Sequence, residues 1–152
     1  MKSTKLMFET SVIWDERTRG LLVAPNADDP IEVATPVEFP NGEEGPWSPE
    51  GLFLGAICSC FMGTFLSLAK RKDLCFLKFR CHAEGVVESV NGKLEFTEVK
   101  LFPEVYLMEE EQPSLGVEIL LQTEKYCLIT NSLKSKITVH TVIKTEKEFV
   151  FN

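Results

Sequence analysis

From Leu52 to Ala69 the chain carries about 18 residues without a charge, inside the stretch "SPEGLFLGAICSCFMGTFLSLAKRK" that covers residues 48 to 72. No other segment limits the possible folds so strongly. Its borders read as helix ends. Ser48 suits an N-cap, Pro49 suits the first helical position, and Glu50 meets the positive end of the macrodipole. The basic cluster at 70–72 suits a C-terminus, so the spacing predicts a helix to about Lys72. Apolar residues lie at nearly every angle around it, which predicts burial on several sides. The length is borderline for a membrane span. The capped, charged borders favour a buried helix instead, and no membrane partner is expected. A chain of 152 residues has difficulty covering such a helix all round. A second copy would supply the cover, so a homodimer is expected.

Strand patterns flank this helix. "LMFETSVI" (6–13) and "GLLVA" (20–24) read as short strands joined by the polar "WDERTRG". "IEVATPVEF" reads as another, with Pro36 marking an edge or an end. "PNADDP" and "PNGEEGP" are turn and loop material. After the helix, "CFLKFRCHAEGVVESV" and "KLEFTEVKLFPEVYL" read as strands joined at Asn91–Gly92, a strong hairpin signal. A second helix is predicted from near Pro113, then a short helical "ITNSLK" after Cys127. "KITVHTVIKTEKEFVF" alternates as a final strand or hairpin. Segregated strands and helices predict an α+β fold: one domain over 1–152, with antiparallel sheets around a buried central helix and a second helix.

Composition narrows the function classes. A net charge of −7 argues against nucleic acid, because phosphate binding needs a basic face. The clusters "KRK" (70–72) and "KSK" (134–136) are read as decoration of element ends. The start of the chain lacks an apolar export segment before Glu9. The five cysteines form an odd set without scaffold spacing. Both features point to a reducing, cytoplasmic setting and away from structural disulfides.

Cys58 and Cys60 stand two apart, so they point about 200° apart around a helix. They cannot both serve one site and make no tidy metal pair. Cys75, Cys81, His82 and His140 lack paired-ligand spacing, so no metal is expected. Filling space is the ordinary role of such thiols. A reactive cysteine needs a cation nearby to favour the thiolate. Arg17 and Arg19, in "DERTRG", are the candidates, because a guanidinium stays charged and can hold a carboxylate and a thiolate together.

"WSPEGLFLGAICSCFMGTFLSLAKRKDL" resembles the central segment of the OsmC/Ohr family, the osmotically inducible and organic-hydroperoxide-resistance proteins. That family has Asn or Ser before Pro-Glu, an apolar stretch, and Cys-Phe with the glutamate ten residues before the cysteine. Glu50 and Cys60 have this spacing. "EKYCLITNSLKSKITV" is similar to the family's second cysteine segment and places Cys127. "RTRGLL" sits where the family has arginine close to glycine, matching Arg19, with Arg17 as the second candidate. The order of elements agrees over nearly the whole chain. Two departures stand out: Leu128 where the family usually has proline, and Cys58 as an extra thiol.

The resemblance implies a thiol-dependent peroxidase without a bound cofactor. Cys60 would attack an organic hydroperoxide, release the alcohol and become sulfenic acid. Cys127 would condense with it to a disulfide, which an external dithiol reduces, of the lipoyl type in some relatives. Arg19 would stabilise the thiolate and the charge developing on oxygen, with Glu50 holding the arginine. Phe53, Phe61 and Phe65 would make the surroundings apolar. Cys58 is expected to fill space. In a straight helix Glu50 and Cys60 lie about 15 Å apart along the axis. They could share a site only around a helix break or across a subunit interface, with Glu50 of one copy near Cys60 of the other. The alternatives are a non-catalytic dimer of this kind that binds a small apolar ligand, and an interaction protein whose cysteines are all filler.

Overall fold

The structure, a computed structural model, describes residues 3–108, 111 and 113–145. The chain divides into two compact units, Met1–Phe53 and Leu54–Asn152, with the boundary inside the long helix. Each has its own sheet.

In the first unit β1 (Ser11–Trp14), β2 (Gly20–Val23) and β3 (Ile31–Val33) form an antiparallel sheet in chain order. These strands are shorter than their sequence patterns. Four-residue β2 sets the limit: Ser11 pairs with Val23 and Trp14 with Gly20, so no ladder partner in β2 remains for residues 6–10. On the far side β3 ends before Pro36, which has no N–H to donate. Trp47 continues that edge, donating to Glu32 O and accepting from Ala34 N, each at 3.0 Å.

Helix α1 runs unbroken from Pro49 to Arg71, close to the predicted span. Ser48 Oγ accepts the Gly51 N–H at 2.9 Å, the expected N-cap. One stripe of α1 is buried: Ile57, Phe61, Phe65, Leu68 and Ala69. Met62 and Leu66, on the other side, are exposed. Burial on several sides therefore does not hold within one chain. By length and hydropathy this helix also meets the requirement of a membrane span.

In the second unit β4 (Phe76–Val90) and β5 (Lys93–Leu107) form one long antiparallel hairpin. Its turn needs positive φ at both central residues, and Asn91 (51°) and Gly92 (78°) provide it. Helix α2 (Pro113–Tyr126), short helix α3 (Leu128–Asn131), β6 (Lys136–Val139) and β7 (Val142–Thr145) follow. Both last strands run parallel to β5, so the sheet is mixed rather than antiparallel. The helices between β5 and β6 carry the chain back to the start of β5, and such a crossover pairs strands in parallel. The end of the chain is thus one interrupted strand up to Thr145, not a hairpin; 146–152 lie outside the described residues. The interruption has a cause. β6 pairs Glu98–Leu101 and β7 pairs Glu104–Leu107, which leaves out Pro103, the residue of β5 that cannot donate.

Helix α1 lies on the inner face of β4. Phe65 stacks on Phe79 with ring centroids 4.7 Å apart and meets Phe76 edge-on at 5.2 Å. At the other end, a Cβ on Gly85 would stand 3.0 Å from Leu54 Cδ2, so glycine allows the close approach. Val99, Leu101, Val105 and Leu107 of β5 and Ile119 and Leu120 of α2 complete the core.

Candidate functional site

Cys60 sits half-buried in the middle of α1, and Cys127 is fully buried at the joint between α2 and α3. Cys127 belongs to both helices' bonding. Its N–H donates to Thr123 O at 2.9 Å and its carbonyl accepts the Asn131 N–H at 3.1 Å. The joint is therefore rigid, and it holds the sulfur against α1. There the Cys127 thiol is close enough to Cys60 to interact with it electrostatically. Burial pushes the Cys127 thiol up from its ordinary value, and Cys60 adds to that, while hydrogen bonds with Thr130 oppose it. The two cysteines singled out in the sequence are thus brought together.

Cys58, expected to fill space, stands beside another thiol. It shares the stripe of α1 between Leu54 and Phe65, and Cys81 shares the face of β4 between Gly85 and Phe79. Packing of those flanking residues sets Cys58 opposite Cys81. The Cys81 thiol donates to His82 O at 3.9 Å, and its interaction with Cys58 lowers the Cys58 pKa to about 7 and pushes that of Cys81 up. Cys127 adds to the rise at Cys81. Four of the five cysteines, all but exposed Cys75, belong to this run of thiols. The 200° divergence of Cys58 and Cys60 holds: each meets a different partner.

In the first unit Arg19 stands at the hairpin end beside Gly20. Its Nε donates to Glu43 Oε2 and its Nη1 to Glu32 Oε1 at 2.5 Å. The hydrogen bond to Glu43, then that to Glu32, raises the Arg19 pKa, and Arg19 lowers that of Glu43. The carboxylates that hold Arg19 are therefore Glu43 and Glu32, where Glu50 was expected. Arg17 takes a left-handed turn position (φ 50°) with an exposed side chain, and its Nε lies 3.5 Å from Glu43 Oε1. Arg19 is the better anchored of the two. Glu50 Oε2 is buried and accepts no hydrogen bond from the described residues. With α1 unbroken, helical rise keeps Glu50 and Cys60 of one chain about 15 Å apart along the axis.

Phe61 and Phe65 are fully buried in the core, so they do not face a substrate. A groove of about 600 Å³ instead opens between α1 and α2, lined by Gly63, Thr64, Ser67, Gln122, Lys125 and Tyr126 among others. Thr64, one helical turn beyond Cys60, donates to the Cys60 carbonyl at 2.9 Å. Reading the sequence missed Cys81 and Glu43. Cys81 alternates inward with Phe79 and Ala83, a visible signal, but its partner depends on how α1 crosses β4. Glu43 lies in a loop that only turn residues marked.

Comparison with known proteins places these features. The sequence profile of the OsmC-like protein family matches residues 42–142. No curated protein matches the chain. Among solved structures, an OsmC-like protein of unknown function from Vibrio cholerae is 19% identical, with a TM-score of 0.81, over 91% of this chain and 100% of that one. An organic hydroperoxide resistance protein from Elizabethkingia anophelis is 16% identical, with a TM-score of 0.73, over 94% and 100%. Its counterpart from Bacillus subtilis is 14% identical, with a TM-score of 0.64, over 91% and 98%. At such identity the likeness is one of fold.

Proposed function

The chain belongs to the OsmC-like protein family, and we propose that this member is a thiol-dependent peroxidase that reduces organic hydroperoxides to alcohols. The observation that carries the reading is the placement of buried Cys127 at the α2–α3 joint, where it interacts with Cys60 of α1. These sulfurs come from distant parts of the chain, and a peroxidase with a resolving cysteine needs them within disulfide reach. That some structural relatives are named organic hydroperoxide resistance proteins agrees with it.

The reaction runs in two steps. The Cys60 thiolate attacks one peroxide oxygen, the O–O bond breaks, and the alkoxide leaves and takes a proton as alcohol. The resulting Cys60 sulfenic acid condenses with the Cys127 thiol, losing water and forming a disulfide. Cys60 is the half-exposed partner, open to substrate, and buried Cys127 is protected from direct attack. A soluble dithiol, such as a lipoyl group, reduces the disulfide in turn.

The proposed catalytic unit is a homodimer with its sites at the subunit interface, working in the cytoplasm. Two features support the second copy. The exposed side of α1 carries no charge from Leu52 to Ala69, and the buried Glu50 Oε2 lacks a donor among the described residues. We assign Glu50 of the second copy, with Arg19 as the cation, to each Cys60.

One equivalent of cumene hydroperoxide per reduced chain tests this. One cumyl alcohol should form and two thiols disappear per chain. Cys60→Ser should abolish the reaction, and Cys127→Ser should stop at sulfenic acid. If no thiol is lost where a small-molecule thiol reacts, the protein is not a peroxidase, and the ligand-binding alternative takes its place.

A further inference from the structure

We propose that Cys58 and Cys81 form a second redox-active dithiol, which reduces the Cys60–Cys127 disulfide by internal exchange. Nothing in the peroxidase mechanism uses either residue. Leu54 against Gly85 and Phe65 against Phe79 hold α1 and β4 together on both sides of the pair. Those contacts set the two thiols face to face, the placement a disulfide between them needs. Core filler explains one buried thiol. It does not explain two facing thiols beside a second such pair. The low pKa of Cys58, about 7, gives the dithiol thiolate character near neutral pH.

The exchange balances within the chain. Cys58, as the thiolate, takes the Cys81 proton as the Cys81 sulfur attacks the Cys127 sulfur. The Cys60–Cys127 bond breaks, and Cys60 leaves with the electron pair as thiolate. Cys58 then attacks Cys81, a Cys58–Cys81 disulfide forms, and Cys127 leaves and takes that same proton. Two thiols are oxidised and one disulfide is reduced, with no outside reagent. Cys60 is ready again, so the four thiols of each chain can reduce two peroxides. The relay rests on the peroxidase reading; the existence of the dithiol does not.

The test gives the reduced full-length protein excess cumene hydroperoxide with no reductant. Alcohol and free thiols are counted and disulfides mapped by peptide mass spectrometry. The expected result is two alcohols per chain, four thiols lost and a Cys58–Cys81 linkage. Cys58→Ser and Cys81→Ser should each halve the yield, Cys75→Ser should leave it at two, and Cys60→Ser should give none. One alcohol from Cys60→Ser would overturn the relay, since the second pair would then react directly. One alcohol from the unaltered protein, with Cys58 and Cys81 both free, overturns the relay and leaves the peroxidase standing. A double variant, Cys60→Ser with Cys127→Ser, is also equilibrated in a glutathione redox buffer. A Cys58–Cys81 disulfide there, beside a native chain that makes no alcohol, rejects the peroxidase and keeps the dithiol. A folded double variant in which the disulfide never closes rejects the dithiol.

Discussion

Trp14, in the sheet of the first unit, is 74% exposed, while Phe65, against the sheet of the second, is fully buried. The contrast runs through both units. In the second, α1, α2 and the strands around β5 bury an aromatic and aliphatic core. In the first, Gly20 and Ala34 are the buried residues, and Val12, Ile13, Trp14 and Trp47 all stand open. The order there comes from ladder hydrogen bonds and the carboxylates gripping Arg19. Exposed apolar residues gathered in one small sheet fit the homodimer proposed above. One unit is held by its own core; the other leaves its apolar residues open.

Substitutions can break or sharpen that contrast. The largest effect is expected at Phe65→Ala, which should cost about 3–5 kcal/mol in urea unfolding, because a large ring leaves a cavity beside Phe76 and Phe79. Arg19→Ala should slow single-turnover peroxide reduction about 100-fold by removing the proposed cation. The unfolding midpoint should move far less. An equal loss in both would make Arg19 a purely structural residue. Trp14→Ser should barely change the stability of a lone chain. It should raise the dimer dissociation constant about tenfold in sedimentation velocity, the value of one large apolar side chain losing cover. A native chain that sediments as a monomer at every concentration would remove the partner from the comparison.

Two smaller effects concern protons. Alkylation of Cys58 by iodoacetamide should rise with pH through about 7, because its folded pKa is lowered and the thiolate is the nucleophile. Cys81→Ala should move that rise to higher pH by removing the interaction with Cys81. In the second unit Lys144, then Tyr106, hydrogen-bonds Glu104 and lowers its pKa. Its contribution is present above the ordinary carboxylate pKa and is lost as pH falls through the depressed one. Glu104→Gln should therefore flatten the acid side of the stability profile, by about 1 kcal/mol or less.

Local chemistry made much of this legible. Ser48 and Pro49 start α1 where their capping chemistry demands, and Asn91–Gly92 turns the hairpin because both residues accept positive φ. The parallel run of β6 and β7 was hidden, since alternation shows a strand and not its direction. Glu43 was hidden for a similar reason. A carboxylate in a loop looks solvated until the fold brings Arg19 to it.

The amino-acid sequence by itself determined the elements, the family and the two cysteines Cys60 and Cys127, because capping, periodicity and motif spacing act over a few residues. The tertiary structure alone decided which thiol meets which. Cys58 faces Cys81, and Cys127 reaches Cys60, through the way α1 crosses β4 and α2 ends against α1. Those meetings depend on packing between elements far apart in the chain, and no local pattern of residues encodes them.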